Sequence, residues 1–244
     1  MKVMRSLLLI RYDDDSALAG NSGADALILT FEGSAARPAG ERSESLSATF
    51  RIARQRKGGP RLFALIPDLD ADQASRDLEA IMPHQPDGIV LAGARTGADV
   101  QHLGARLAVL EAQNGLPDGA CAILPLATQS AASLFGLGSY AGCSPRLIGL
   151  AWSAQELSAA LGARSCRLAE GGFTPPCDLA RSLTLLGARA AGVQPVDTDF
   201  PASDDEAVLR RECEAARRDG FTGKIARNAA QVRIINAVFG AQAP

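Results

Sequence analysis

Histidine is almost missing from this chain: His84 and His102 are the only two in 244 residues. A zinc centre or a Ser-His-Asp relay draws on imidazole, so neither chemistry is expected. Cysteine is scarce and odd in number. Cys121, Cys143, Cys166, Cys177 and Cys213 share no metal-type spacing, and a reduced, cytoplasmic protein is the expectation. No excess of positive charge exists either. Twenty-five Lys and Arg against 27 Asp and Glu leave a net charge of −2, which argues against a nucleic-acid surface. No apolar run is long enough to span a bilayer. The opening Met1–Ile10 stretch has a short apolar core followed by Tyr12-Asp13-Asp14-Asp15. It reads as a first strand, not a signal peptide.

What is abundant is apolar content, 47% of the chain. That suffices for one large core, and an α/β barrel of this length forms a single domain. The stretch Gly149–Gly162 shows the repeating unit most clearly. Leu147 to Trp152 is a short apolar run of the kind buried on both faces in a parallel sheet. Ser153 to Leu161 switches to helical spacing, with Leu157 and Leu161 four apart. Similar runs occur at Ser6–Ile10, Ala26–Phe31, Leu62–Ile66, Ile89–Leu91, Ala122–Leu126, Val193–Val196 and Lys224–Ala226. Between them, Leu103/Leu107/Leu110, Leu179/Leu183/Leu186 and Val232/Ile235 with Val238 or Phe239 form helical apolar faces. About eight strand–helix units predict a (β/α)8 TIM barrel, with an open doubly wound sheet as the rival. Three Gly- and Pro-bearing insertions, Gly33–Gly40, Phe135–Pro145 and Ala163–Pro176, break the rhythm, and two of the three are candidate rim loops.

Ligands of parallel α/β folds bind at the carboxyl ends of the strands. Three acids stand there: Glu32, Glu156 and Asp197. Such oxygen donors suit a hard cation such as Mg²⁺. Each has a plainer reading. Glu32 suits a solvated strand end, Asp197 an Asx-type turn before Pro201. Ser153-x-x-Glu156 is also a capping box. Gln129, beside Ser130, takes a fourth rim position, with a helix start as its plain reading. Arg11, Arg37 and Arg95 lie near the rim and are candidates to grip an anion. Arg181, Arg189, Arg210, Arg211, Arg217 and Arg218 read as outer helix faces.

These segments together resemble the citrate lyase β-subunit-like branch of the HpcH/HpaI aldolase family. The resemblance rests on Arg5-Ser6-Leu7-Leu8, Ser22–Leu29, Asp87-Gly88-Ile89-Val90-Leu91 and Gly149-Leu150-Ala151-Trp152. It extends through Pro175-Pro176 with Leu179-Ala180-Arg181-Ser182, then Asp219–Lys224 and Ala230-Gln231-Val232. It implies a Mg²⁺-dependent TIM barrel over 1–244, without the usual C-terminal helical extension. Its substrates would be acyl-thioesters of citryl, malyl or citramalyl type, or a 2-oxo acid, whose carbon–carbon bond is cleaved or formed. A homo-oligomer with no nucleic-acid or membrane partner is expected. By the resemblance, Gln129 and Glu156 stand at the metal-ligand positions. Glu32 and Asp197 are the candidate catalytic acids, and Arg11 and Arg95 the substrate-binding candidates.

Several family positions are substituted. Thr30-Phe31-Glu32-Gly33 replaces Asp-Leu-Glu-Asp. Ala64-Leu65-Ile66-Pro67 replaces Arg-Val-Asn-Pro, whose Arg grips a substrate carboxylate. Gly93 stands at a Lys, Gln129 at a Glu, Glu156 at an Asp, and Arg227-Asn228-Ala229 at Ile-His-Pro. Losing one charge-assisted bond costs roughly 1.5–3 kcal/mol. Three functions are therefore open: a diverged lyase, a homologue that binds an acyl ligand or a partner subunit without turnover, and a purely structural barrel.

Overall fold

The computed structural model describes residues 3–11, 22–30, 48–50, 59–70, 72–169, 171–201 and 205–240. Glu32 and Arg37, named above, lie outside the described residues.

Each apolar run forms a strand. They are β1 (Ser6–Arg11), β2 (Ala26–Thr30), β3 (Arg61–Ile66), β4 (Gly88–Leu91), β5 (Ala122–Thr128), β6 (Gly149–Trp152), β7 (Gln194–Asp197) and β8 (Gly223–Ala226). All neighbours pair in parallel, and β8 closes on β1 to give an eight-stranded barrel. The expected TIM-barrel fold is thus the fold observed, and the open sheet is excluded. The described helices are α1 (Asp72–Ile81), α2 (Gly97–Gln113), α3 (Ala131–Leu134), α4 (Ala154–Ala160), α5 (Pro175–Ala190), α6 (Glu206–Asp219) and α7 (Ala229–Gly240). None is long and apolar enough to cross a membrane.

Strand alternation sorts side chains into two cores. Leu7, Ala26, Ile28, Phe63, Val90, Leu124, Leu126, Ala151, Val196 and Ile225 fill the barrel lumen. Leu9, Leu65 and Ala92 pack on that cluster from a partly exposed layer. Residues of opposite parity, among them Leu29, Ala64, Ile66, Ile89 and Leu91, join the helices in the outer core. The lumen is crowded enough to dictate a glycine. A Cβ on Gly88 would come within 2.3 Å of the Phe63 ring, far inside contact distance.

Two helical faces fall where the periodicity puts them. Leu103 and Leu107 are fully buried, as are Val232 and Ile235. The α5 face is a correction: Leu179 and Leu186 are 59% and 62% exposed. The buried face of α5 carries Cys177, Ala180, Arg181, Thr184, Gly187 and Ala188 instead. Small residues let this helix sit close on the sheet, and its polar members have partners there. Thr184 Oγ1 lies 2.6 Å from Thr128 Oγ1. Arg181 is therefore not an outer-face arginine but a buried one.

The cysteines bring a second correction. Cys166 and Cys177 form a disulfide, tying the chain after α4 to the first turn of α5. Cys121, Cys143 and Cys213 are free.

Candidate functional site

The polar residues at the strand ends divide into two groups, one facing the mouth and one facing the helices. Arg11 ends β1 and is exposed. Arg95 follows β4, and its Nη2 is 2.9 Å from Asp68 and 3.6 Å from Asp70. The bond to Asp68, with the field of that carboxylate, raises the Arg95 pKa. Gln129 follows β5, and its Oε1 accepts a 2.5 Å hydrogen bond from the Gly93 N–H. The loops after β4 and β5 are thereby joined. Gly93 itself has φ +70°, and a Cβ there would sit 2.8 Å from Asp68 Cβ. A lysine at 93 would be strained on both counts.

Glu156 occupies the first turn of α4 and is exposed. Ser153 caps this helix: its Oγ accepts from the Glu156 N–H at 3.3 Å. The return arm of a capping box is not made, and the Glu156 carboxylate has no partner among the described residues. Thr198 Oγ1 accepts from the Ala154 N–H at 3.0 Å, so the residue that follows β7 completes the cap. Ser153→Ala should cost about 1 kcal/mol of stability, whereas Glu156→Ala should stay within about 0.5 kcal/mol. Urea unfolding of both variants checks this. Equal losses would restore the full capping box.

Asp197 is the main correction at the site. It is the last residue of β7, and its strand neighbour Val196 points into the lumen. Asp197 therefore points outward, under α5 and α6, and is fully buried. Register aligns it with Lys224 on β8. Trp152 Nε1 donates to its Oδ1 at 2.8 Å, as does Arg181 Nε at 3.3 Å. Lys224 Nζ lies 3.3 Å from Oδ2. Burial pushes the Asp197 carboxyl up, but Lys224, Arg181 and the donated hydrogen bonds outweigh it, so its pKa is lowered. Burial likewise pulls Lys224 down, while Asp197 and Glu212 raise it further. Lys224 also donates to Glu212 Oε1 at 2.7 Å and to the Thr198 carbonyl at 2.6 Å. This acid holds helices to the barrel and does not face the mouth.

A cavity of about 480 Å³ opens at the mouth edge, beyond β6, β7 and β8. Its wall includes Gln155, Ser158, Arg164, Arg167, Asp199 and Arg227. Part of the wall is the Ala163–Pro176 insertion, the stretch expected to form a rim loop. Arg227 bonds Asp199 through Nε, and its Nη2 donates to Gln155 Oε1 at 3.0 Å. Arg167 donates to Glu212 and, at 2.7 Å, to the Asp199 carbonyl. Arg164 has no partner among the described residues. Of these, Arg227 is in sequence a substituted family position to which no role attaches. It follows the last residue of β8, the same strand-end signal that marked Glu156.

Mg²⁺ needs near-octahedral oxygen donors and is usually held by one or two carboxylates. Among the described residues no three acid, histidine or cysteine side chains converge on a common point. Gln129 Oε1 is already an acceptor, which leaves the Glu156 carboxylate as the one anionic donor of the two family ligand positions. Among the described residues these two positions offer Mg²⁺ one carboxylate and one amide oxygen.

No family model matches the chain. A (3S)-malyl-CoA thioesterase of Cereibacter sphaeroides is 31% identical over 252 residues, covering 96% of this chain and 76% of that protein. Citrate lyase subunit beta of Leuconostoc mesenteroides is 29% identical over 182 residues, covering 75% of this chain and 58% of that protein. Among solved structures, a citrate lyase β subunit from M. tuberculosis complexed with oxaloacetate and magnesium superposes with a TM-score of 0.77. It covers 98% of each chain at 22% identity, a likeness of fold. The chain belongs to the citrate lyase β-subunit-like family.

Proposed function

We propose that this chain takes an acyl-thioester of a short hydroxy- or oxo-acid at the carboxyl mouth, as a diverged carbon–carbon lyase. The observation that carries the reading is the mouth-edge cavity, with Arg164 unpaired among the described residues and Arg227 fixed by Asp199 and Gln155. Guanidinium forks suit the carboxylate and phosphate groups of such a ligand. The named relatives support the ligand class: one is a malyl-CoA thioesterase, another a citrate lyase β subunit. Among the described residues, the carboxylate of Glu156 is without a partner and is a group available to move a proton at the substrate hydroxyl. No step is assigned to Mg²⁺.

A second reading is binding without turnover. It is favoured by how many of the candidate site groups are already engaged: Asp197 faces the helices, and Gln129 accepts from Gly93.

The test uses (S)-malyl-CoA with the full chain. Glyoxylate release marks the lyase. Thiol release without glyoxylate replaces it by a hydrolase, and saturable binding with no product establishes the second reading. No binding at all overturns both. Arg164→Ala should weaken binding roughly tenfold, the loss of one charge-assisted bond. In parallel, calorimetry should find weak Mg²⁺ binding to the wild type. Gln129→Glu should tighten it by roughly tenfold, because affinity for hard cations follows ligand charge. Tight binding by the wild type would show that other residues complete the cage.

A further inference from the structure

A second cavity, about 520 Å³, lies on the helix side of the barrel between α5 and α6. Arg181 lines it with a side chain that is 7% exposed. Two of its nitrogens are used: Nε on Asp197 at 3.3 Å and Nη1 on Asp219 at 2.8 Å. Nη2 is buried and has no hydrogen-bond partner among the described residues. A buried guanidinium donor left unpaired is costly, and such an orphan calls for an acceptor.

The other walls offer further donors. Arg211 and the Ser182 hydroxyl, both exposed, have no partner among the described residues. Two of the acids are committed. Glu212 is held by Lys224 and Arg167, and Asp219 by Arg181 and Arg218. Asp178 alone among the lining acids is without a partner, and it limits how much negative charge an occupant can carry.

We infer that this cavity binds a small oxyanion, the carboxylate or phosphate end of a metabolite, between the buried Arg181 and the exposed Arg211. The site is separate from the mouth and does not depend on the function proposed for it. It is nevertheless wired to the mouth. Glu212 lines the helix-side cavity and bonds Arg167, which lines the mouth-edge one. Arg181 also shares Asp197 with Trp152. An oxyanion on Arg181 therefore acts on the same ion-pair chain that reaches the mouth.

Trp152 supplies the reporter. It is the single tryptophan. It meets the Phe173 ring edge-on at 5.1 Å, and the Arg181 guanidinium stands 5.8 Å from that ring. The full chain is titrated with inorganic phosphate and, separately, with acetate, against chloride at matched ionic strength. Trp152 fluorescence and calorimetry are read together. Saturable binding is expected, weakened roughly tenfold by Arg211→Ala, abolished by Arg211→Glu and unchanged by Arg227→Ala. The anion that binds more tightly identifies the source of the oxyanion. Two results overturn the inference: no saturable response beyond chloride, or a response lost in Arg227→Ala and kept in Arg211→Ala, which would place binding at the mouth.

Discussion

Lys224→Met is expected to destabilise the barrel by about 3–5 kcal/mol, the cost of removing one partner from a buried ion pair. Lys224 is fully buried, and its ammonium is shared between Asp197, Glu212 and the Thr198 carbonyl. Methionine matches the stem in length but leaves two buried acids short of a counter-charge. Arg181 and Arg167 stay in place and set a ceiling on the loss. Urea unfolding followed by Trp152 fluorescence measures it, and a change under about 1 kcal/mol would show that the remaining arginines carry the network. Lys224→Met combined with Glu212→Gln should recover part of the loss, since one stranded charge is then removed. The pH dependence follows from the two directions. Asp197 has a lowered folded-state pKa, so its contribution is present above the unfolded carboxylate value of about 3.9. It is lost as pH falls through the lower folded value. Lys224 has a raised one, so its share is complete below about 10.4 and is lost as pH rises through the higher folded value. The variant should therefore show a flatter stability profile than the wild type at both extremes.

Six strands are legible as plain apolar runs, because a strand covered on both faces mostly carries apolar residues, while β7 and β8 show only a short apolar signal beside the buried Gln194, Asp197 and Lys224. The barrel followed from their number and spacing. The errors came from direction. Asp197 was recognised as a strand-end acid, but the end of a run does not say which face its last residue takes. One residue of parity separates Val196 in the lumen from Asp197 among the helices. The α5 error has the same origin. Its leucines repeat at helical spacing, yet the close-packed side is built from Ala180, Thr184, Gly187 and Ala188, residues that carry a weak hydrophobic signal. Lys224 and Arg181 look like surface residues by type. They are buried because Asp197, Glu212 and Asp219 come from distant parts of the chain to meet them. Glu156 was read both as a cap and as a site residue. Its backbone is capped by Ser153, while its carboxylate has no partner among the described residues.

The same parity decides what happens when an arginine is put back on β3. Ala64 stands where the family Arg was placed by resemblance, so Ala64→Arg is the obvious restoration. It should instead cost at least about 3–5 kcal/mol, as an unpaired charge buried among apolar groups does. Ala64 is fully buried in the outer core, paired in register with Leu29 and Ile89. The neighbouring Leu65 faces the other way. It packs with Leu9 and Ala92 in the partly exposed layer on top of the lumen. An arginine there can lay its stem on that layer and raise its guanidinium into solvent. Leu65→Arg should therefore cost only the lost leucine burial, about 1.5–3 kcal/mol at most. It should also tighten (S)-malyl-CoA binding by adding a fork for its carboxylate. Equilibrium unfolding and calorimetry on both variants decide. A stable Ala64→Arg protein with gained acyl-thioester affinity would reverse the parity assigned to β3. It would make residue 64, not 65, the position from which this barrel reaches its ligand.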